Sequence, residues 1–161
     1  MTHADLVQIA ARWLQGQGCS VILTELATSG ETPDAIGWKG KHSILVECKT
    51  SVQDFERDKL KHFRAMPWMG AGMKRYFLTP VDLISPRILP QGWGLLEAMN
   101  LKRKPLMRIE AAQCLEHNAV HEVEILVSAL RRIGQFADKG CSIKPYTFET
   151  KNTATLGVLK E

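Results

Sequence analysis

Apolar residues near the start of the chain fall at helical spacing: Leu6, Ile9, Ala10, Trp13 and Leu14 share one face, and the run stops at Gly16-Gln17-Gly18. This predicts a helix over residues 3–16. Residues 20–26 (SVILTEL) are β-branched and apolar, the pattern of a buried strand. After a polar loop, residues 34–49 hold two short apolar runs around Lys39-Gly40-Lys41-His42, which predicts a hairpin. Residues 52–64 form a charged amphipathic pattern, with Val52, Phe55 and Phe63 on or near one face of a predicted helix. Strands follow at 74–79, 93–99 and 105–109, with a proline-spaced connection at 81–92 and a basic turn between the last two. Asn118 is a candidate cap for a helix running to about residue 136, in which Val123, Leu126, Val127, Leu130 and Ile133 repeat every three or four positions.

Helix, three strands, helix, three strands, helix is the order of a single α/β domain built on a mixed sheet flanked by helices. Its expected extent is residues 1–137. Residues 138–161 lose the pattern and read as a C-terminal extension.

Composition narrows the function classes. The 161 residues are 45% hydrophobic and 24% charged, enough for one core and too few for two full domains. No run of about 18 apolar residues occurs, and MTHADLVQ has neither the basic segment nor the apolar stretch of a signal peptide. A soluble, cytoplasmic protein is expected. Cys19, Cys48, Cys114 and Cys141 lack CxxC spacing and read as reduced thiols. Cys114, His117 and His121 form a C-x2-H-x3-H run, but no fourth zinc ligand accompanies it, and the simpler reading is a polar helix start.

The net charge of +4 is unevenly spread. From Lys39 to Arg75, nine Lys/Arg stand against four acids, and the rest of the chain is close to neutral. Such a segment is what phosphate contacts need, although a charge-rich helix is more often a solvated face.

Within that segment lies Glu47-Cys48-Lys49. With eleven Glu and twelve Lys, chance alone supplies an E-x-K tripeptide, and a second stands at Glu149-Thr150-Lys151. Context separates them. The first ends the apolar run Ile44-Leu45-Val46, so strand alternation sets Glu47 and Lys49 on one face and Cys48 on the other. If Gly40-Lys41 is a two-residue turn, Asp34 falls opposite Glu47, and a slip of one residue would turn it away. Two facing carboxylates with a lysine one step on make a divalent-metal site with a cation at its edge. Asp34, Glu47 and the Cys48 carbonyl are hard oxygen ligands suited to Mg²⁺, with Mn²⁺ as substitute. Charged groups at a buried strand end are otherwise costly.

TPDAIGWKGKHSILVECKTS resembles motifs II and III of the PD-(D/E)XK nuclease superfamily. The segment that follows, through D-F-E-R-D-K, a strand ending in Pro80, a proline-spaced loop and G-W-G-L-L, is similar to a bacterial and phage branch related to the MmcB-like DNA repair proteins. The similarity covers about residues 20–99. It implies a restriction-endonuclease-like core and Mg²⁺-dependent cleavage of DNA in repair, recombination or phage DNA metabolism. Asp34 and Glu47 would then be metal ligands and Lys49 the catalytic lysine. Many superfamily members add an acid from the first helix, where this chain offers only Asp5. Glu25, on the strand before the Pro33-Asp34 pair, is the candidate substitute.

Lys59, Lys61 and Arg64, within two turns of the predicted second helix, are candidate DNA contacts, together with Lys41 and, as a base-stacking residue, Trp68. Asp54 and Asp58 are placed to orient these cations. Trp13 and Trp93 fit core positions. A homodimer is the assembly by which small nucleases commonly reach two strands. The competing class is a non-catalytic nucleic-acid- or protein-binding module that keeps the nuclease fold, and against it stands the presence of competent side chains at all three positions.

Overall fold

The computed structural model describes residues 1–26, 28 and 31–134. The expected boundary at 137/138, the extension, Cys141 and the second tripeptide lie outside them.

Helix α1 (His3–Gly16) opens on a reciprocal cap: Asp5 N donates to the Thr2 hydroxyl at 3.2 Å, and Thr2 N donates to Asp5 Oδ2 at 2.7 Å. It closes on Gly18 at φ +87°, with Gly18 N bonded to Gln15 O and Cys19 N to Leu14 O, the Schellman arrangement that needs glycine in the left-handed region. Strand β1 (Val21–Thr24) pairs antiparallel with β2 (Ala35–Lys39), and β2 with β3 (His42–Cys48). Gly40 turns the β2–β3 hairpin at φ +58° while Lys41 keeps a negative φ, as a type II′ turn requires.

The chain then crosses through α2 (Val52–Lys59) and the short α3 (His62–Ala65) to β4 (Lys74–Pro80), which lies parallel to β3. Strand β5 (Gly94–Ala98) is parallel to β4, and β6 (Leu106–Ile109) is antiparallel to β5. The six strands stand in chain order in one mixed sheet, and α4 (Ala119–Gly134) ends the described chain. None of the described helices is long and apolar enough to cross a membrane.

The alternation of each strand separates two cores. On one face, Leu6, Ile9, Trp13 and Leu14 of α1 meet Ala35, Val46, Cys48, Leu78 and Leu96. On the other, Phe55 of α2 and Ile125 and Ala129 of α4 meet Ile36, Trp38, Leu45, Phe77 and Leu95. Glu47 belongs by parity to this second face, at the carboxyl end of β3.

Three expectations are corrected. The helix predicted over 52–64 is broken at Leu60-Lys61, where Lys61 is extended (φ −66°, ψ 133°). In an unbroken helix Arg64 would lie roughly 240° around the axis from Asp58, whereas the break brings the two side chains together. Glu25 is not within a strand: β1 ends at Thr24 and Glu25 adopts φ +50°. Of the repeat expected on α4, Leu126 packs against the core, but Val123, Val127 and Leu130 are exposed, and the face against the sheet is built mainly from His121, Glu122, Ile125 and Ala129. Asn118 does cap α4, its Oδ1 accepting from His121 N at 2.9 Å.

Candidate active site

Ala35 pairs with Val46, so the register carries Asp34 opposite Glu47, as the two-residue turn requires. Asp34 stands one residue before β2. Its Oδ2 accepts from Cys48 N–H at 2.7 Å, in place of the strand neighbour that β2 no longer provides. Its Oδ1 lies 3.5 Å from His3 Nε2, and the same imidazole lies 3.6 Å from Glu25 Oε1. Glu25 thus reaches the rim of the site from the loop after β1, through His3.

Glu47 and Lys49 are 2% and 5% exposed, and Lys49 Nζ lies 3.3 Å from Glu47 Oε2 and 3.3 Å from Asp58 Oδ1. Arg64, expected to face the phosphate backbone, is buried at 6% exposure. Its Nε donates to Asp58 Oδ2 at 2.6 Å, its Nη1 to Glu31 Oε1, and its Nη2 lies 3.1 Å from Glu47 Oε1. The guanidinium also stacks over Trp93, 4.7 Å from the ring centre. A planar fork held by three carboxylates makes Arg64 a structural cross-link rather than the expected DNA contact.

The network is acidic in sum: Glu31, Asp34, Glu47 and Asp58 face buried Lys49 and Arg64, with Lys61 at the rim 2.6 Å from Asp58. Burial raises the Glu47 carboxyl above its ordinary range despite Arg64, and the neighbouring Asp34 charge adds to the rise. Glu31 is likewise raised by burial. Asp58 is pushed down to about 2, since the Arg64 hydrogen bond and the Arg64 and Lys49 charges outweigh its burial. Burial works against the Lys49 ammonium, but Glu47, Asp58 and Asp34 more than offset it and its pKa is raised. Lys49 therefore keeps its positive charge and donates hydrogen bonds, rather than serving as a neutral base.

Among the described residues no three His, Cys, Asp or Glu side chains form a group sized for a metal. Asp34 and Glu47 nevertheless supply carboxylate donors of the kind a hard cation takes. Glu47 Oε1 is buried and accepts no aligned hydrogen bond, its contact with Arg64 being ionic alone. Asp34 is the side chain of the pair that solvent reaches, at 19% exposure. One or two carboxylates completed by water are an ordinary Mg²⁺ set. His117 and His121 do not turn toward a shared centre with Cys114: His117 Nε2 faces Glu122, and His121 lies between Glu124 and the Glu31 carbonyl.

Of the other candidate DNA contacts, Lys59 pairs with Glu56 at 3.2 Å and covers the Phe55 ring. Lys41 is exposed at the hairpin turn, six residues along each strand from the acid pair, or roughly 20 Å, and so stands apart from the carboxylate cluster. Trp68 is exposed on a one-turn 3-10 helix, Pro67–Met69. A hollow of about 390 Å³ flanked by Lys59, Arg64, Leu89 and Gln91 opens beside the network and includes neither Asp34 nor Glu47.

Glu31 was not expected at the site from the sequence, and Asp58 was expected only to orient helix cations. For Asp58 a signal existed: it stands three residues after Phe55, on the same face of α2, and is buried with it. Glu31 sits in a polar loop whose sequence gives no such cue.

No family model matches the chain, and no curated protein matches it. Among solved structures it is similar to a protein of unknown function from Silicibacter pomeroyi, at a TM-score of 0.62 and 24% identity, over 86% of this chain and 94% of that one. The likeness shows a shared fold.

Proposed function

We propose that this protein is a metal-dependent deoxyribonuclease with a restriction-endonuclease-like core of the PD-(D/E)XK type, hydrolysing phosphodiester bonds in DNA repair, recombination or phage DNA metabolism. The observation that carries the proposal is the register: Asp34 opposite Glu47, with Lys49 next on the same face, at the carboxyl end of a parallel strand. Asp34 and Glu47 would hold Mg²⁺ or Mn²⁺, with the Cys48 carbonyl as the expected third oxygen. When bound, such an ion would supply charge neutralisation at the scissile phosphate and a water of lowered pKa. Lys49, held by Glu47 and Asp58, keeps a fixed positive charge beside the place where phosphorane charge builds up. Asp58 is a positioning residue that acts through Lys49. Lys61 and Lys59, ion-paired with Asp58 and Glu56, would exchange those partners for the DNA backbone, with Trp68 as a stacking platform.

The reading of a non-catalytic nucleic-acid- or protein-binding module draws on one observation, the burial of Glu47 and Lys49 within the Arg64 cross-link. Purified protein incubated with single-stranded, nicked, branched and linear duplex DNA separates the two. The nuclease cuts at least one substrate with Mg²⁺ or Mn²⁺, stops in chelator, and slows about a hundredfold or more in Lys49→Ala. Binding without cutting on every substrate establishes the module instead.

A further inference from the structure

Helix α4 is apolar on two faces, and the sheet covers one. Ile125 and Ala129 are buried against β-strand side chains. On the opposite side Val120, Val123, Val127 and Leu130 are 72, 57, 39 and 67% exposed. Their spacing of three, four and three residues is that of alternating a and d positions in a heptad. At about 100° per residue they form a stripe roughly 80° wide and 15 Å long, the narrow seam that meets another helix rather than the broad face that covers a sheet. Exposed apolar residues are ordinary one at a time, but four in one row mark a contact surface.

We infer that this outer face of α4 is the seam of a homodimer, in which α4 packs antiparallel against α4 of a second copy of this chain. The charges beside the stripe favour that occupant. Glu124 and Arg131 follow the two d positions, lie on the same flank seven residues apart, and are both exposed. A two-fold axis across the helix near Ile125 sets the Val123 layer of each copy against the Val127 layer of the other. It also turns Glu124 of each copy toward Arg131 of its mate, which is the self-complementary patch an isologous interface requires. Glu124 already lies 3.2 Å from His121 Nδ1, so its carboxylate is held on that flank. A hollow of about 380 Å³ beside the stripe, lined by Thr28, Val123, Val127 and Arg131, leaves room for side chains of a facing helix.

So short a seam would not hold two free peptides together, but this helix is ordered beforehand. Glu122 accepts hydrogen bonds from Trp38 Nε1, Ser43 Oγ and Gly72 N at 3.0, 2.8 and 2.8 Å, fixing α4 on the sheet. The ordering cost that makes two-heptad helices marginal is thereby met within the domain.

Sedimentation equilibrium of the full chain tests the inference. The wild type should dimerise, and the Val123→Glu, Val127→Glu double variant should raise the dimer dissociation constant about a hundredfold or more while circular dichroism remains that of the wild type. Should that variant fail to fold, the exposed charge pair decides. Glu124→Arg and Arg131→Glu should each weaken the dimer, and the double reversal should restore it. A wild type that stays monomeric at all concentrations overturns the inference, whether the stripe is bare or covered by other residues of its own chain. So does a dimer indifferent to these substitutions, or a double reversal weaker than both singles.

Discussion

Arg64→Met removes the one guanidinium that three buried carboxylates share, while keeping a long apolar stem over Trp93. Glu31, Glu47 and Asp58 each have side chains at most 3% exposed, so none can recover solvation by a small movement. Breaking a buried ion pair by deleting one partner costs about 3–5 kcal/mol. Lys49 and Lys61 remain beside Asp58, and Lys49 beside Glu47, which confines the loss to that range rather than three times it. A sulfur–aromatic contact with Trp93 offsets only a fraction. For a chain of this size the change corresponds to a melting temperature lower by about 10 °C.

The pH dependence carries the sharper sign. Glu47 and Glu31 have folded-state pKa values raised by burial, so their charged forms cost stability once the pH rises through those values. Without Arg64 both rise further. The loss should be greatest near pH 7 and shrink toward pH 5, as the carboxyls take up protons. In the wild type, Asp58 acts in the opposite sense: its pKa is lowered from 3.8 to about 2, so its contribution is complete above the ordinary value and is lost as the pH falls through the folded one. Urea unfolding of both proteins at pH 7 and pH 5 makes the measurement. A loss under about 1 kcal/mol at pH 7, or one that does not diminish at pH 5, refutes the reasoning, because the guanidinium would then not be holding desolvated charge.

Two further outcomes concern the frame around the site. Glu122→Ala should cost about 2–4 kcal/mol, since Trp38, Ser43 and the Gly72 amide lose a common buried acceptor; thermal unfolding followed by tryptophan fluorescence measures it, and a change under about 1 kcal/mol speaks against α4 being anchored there. Gly72→Ala should destabilise by about 2 kcal/mol or more, because Gly72 has φ +90° and an added Cβ would stand 2.6 Å from Leu45 Cβ; a neutral effect in denaturant titration would mean the β3–β4 crossover repacks without strain.

How much of this the sequence carried depends on whether a signal was local. Strand alternation and turn chemistry are local, so the β2–β3 register and the Asp34–Glu47 pairing were legible from Gly40 and the apolar run before Glu47. The Asn118 cap was legible for the same reason. The break at Lys61 was not, because no proline or glycine marks it and its cause is tertiary: a buried carboxylate cluster draws Arg64 inward. Nor was the buried face of α4. That face mixes His121 and Glu122 with Ile125 and Ala129, so the outer row of Val and Leu was the stronger apolar pattern. Glu31 is met only through folding, some thirty residues before Arg64.

The proposed function rests on Asp34 and Glu47 holding a divalent cation together. Titration of the protein with Mn²⁺, followed by electron paramagnetic resonance, tests it without a nucleic-acid substrate. One site per chain is expected in the wild type, with loss of that site in Asp34→Asn while the fold stays intact, and displacement of the bound Mn²⁺ by excess Mg²⁺. A wild type that binds no Mn²⁺, or an Asp34→Asn variant that binds it equally well, would contradict it.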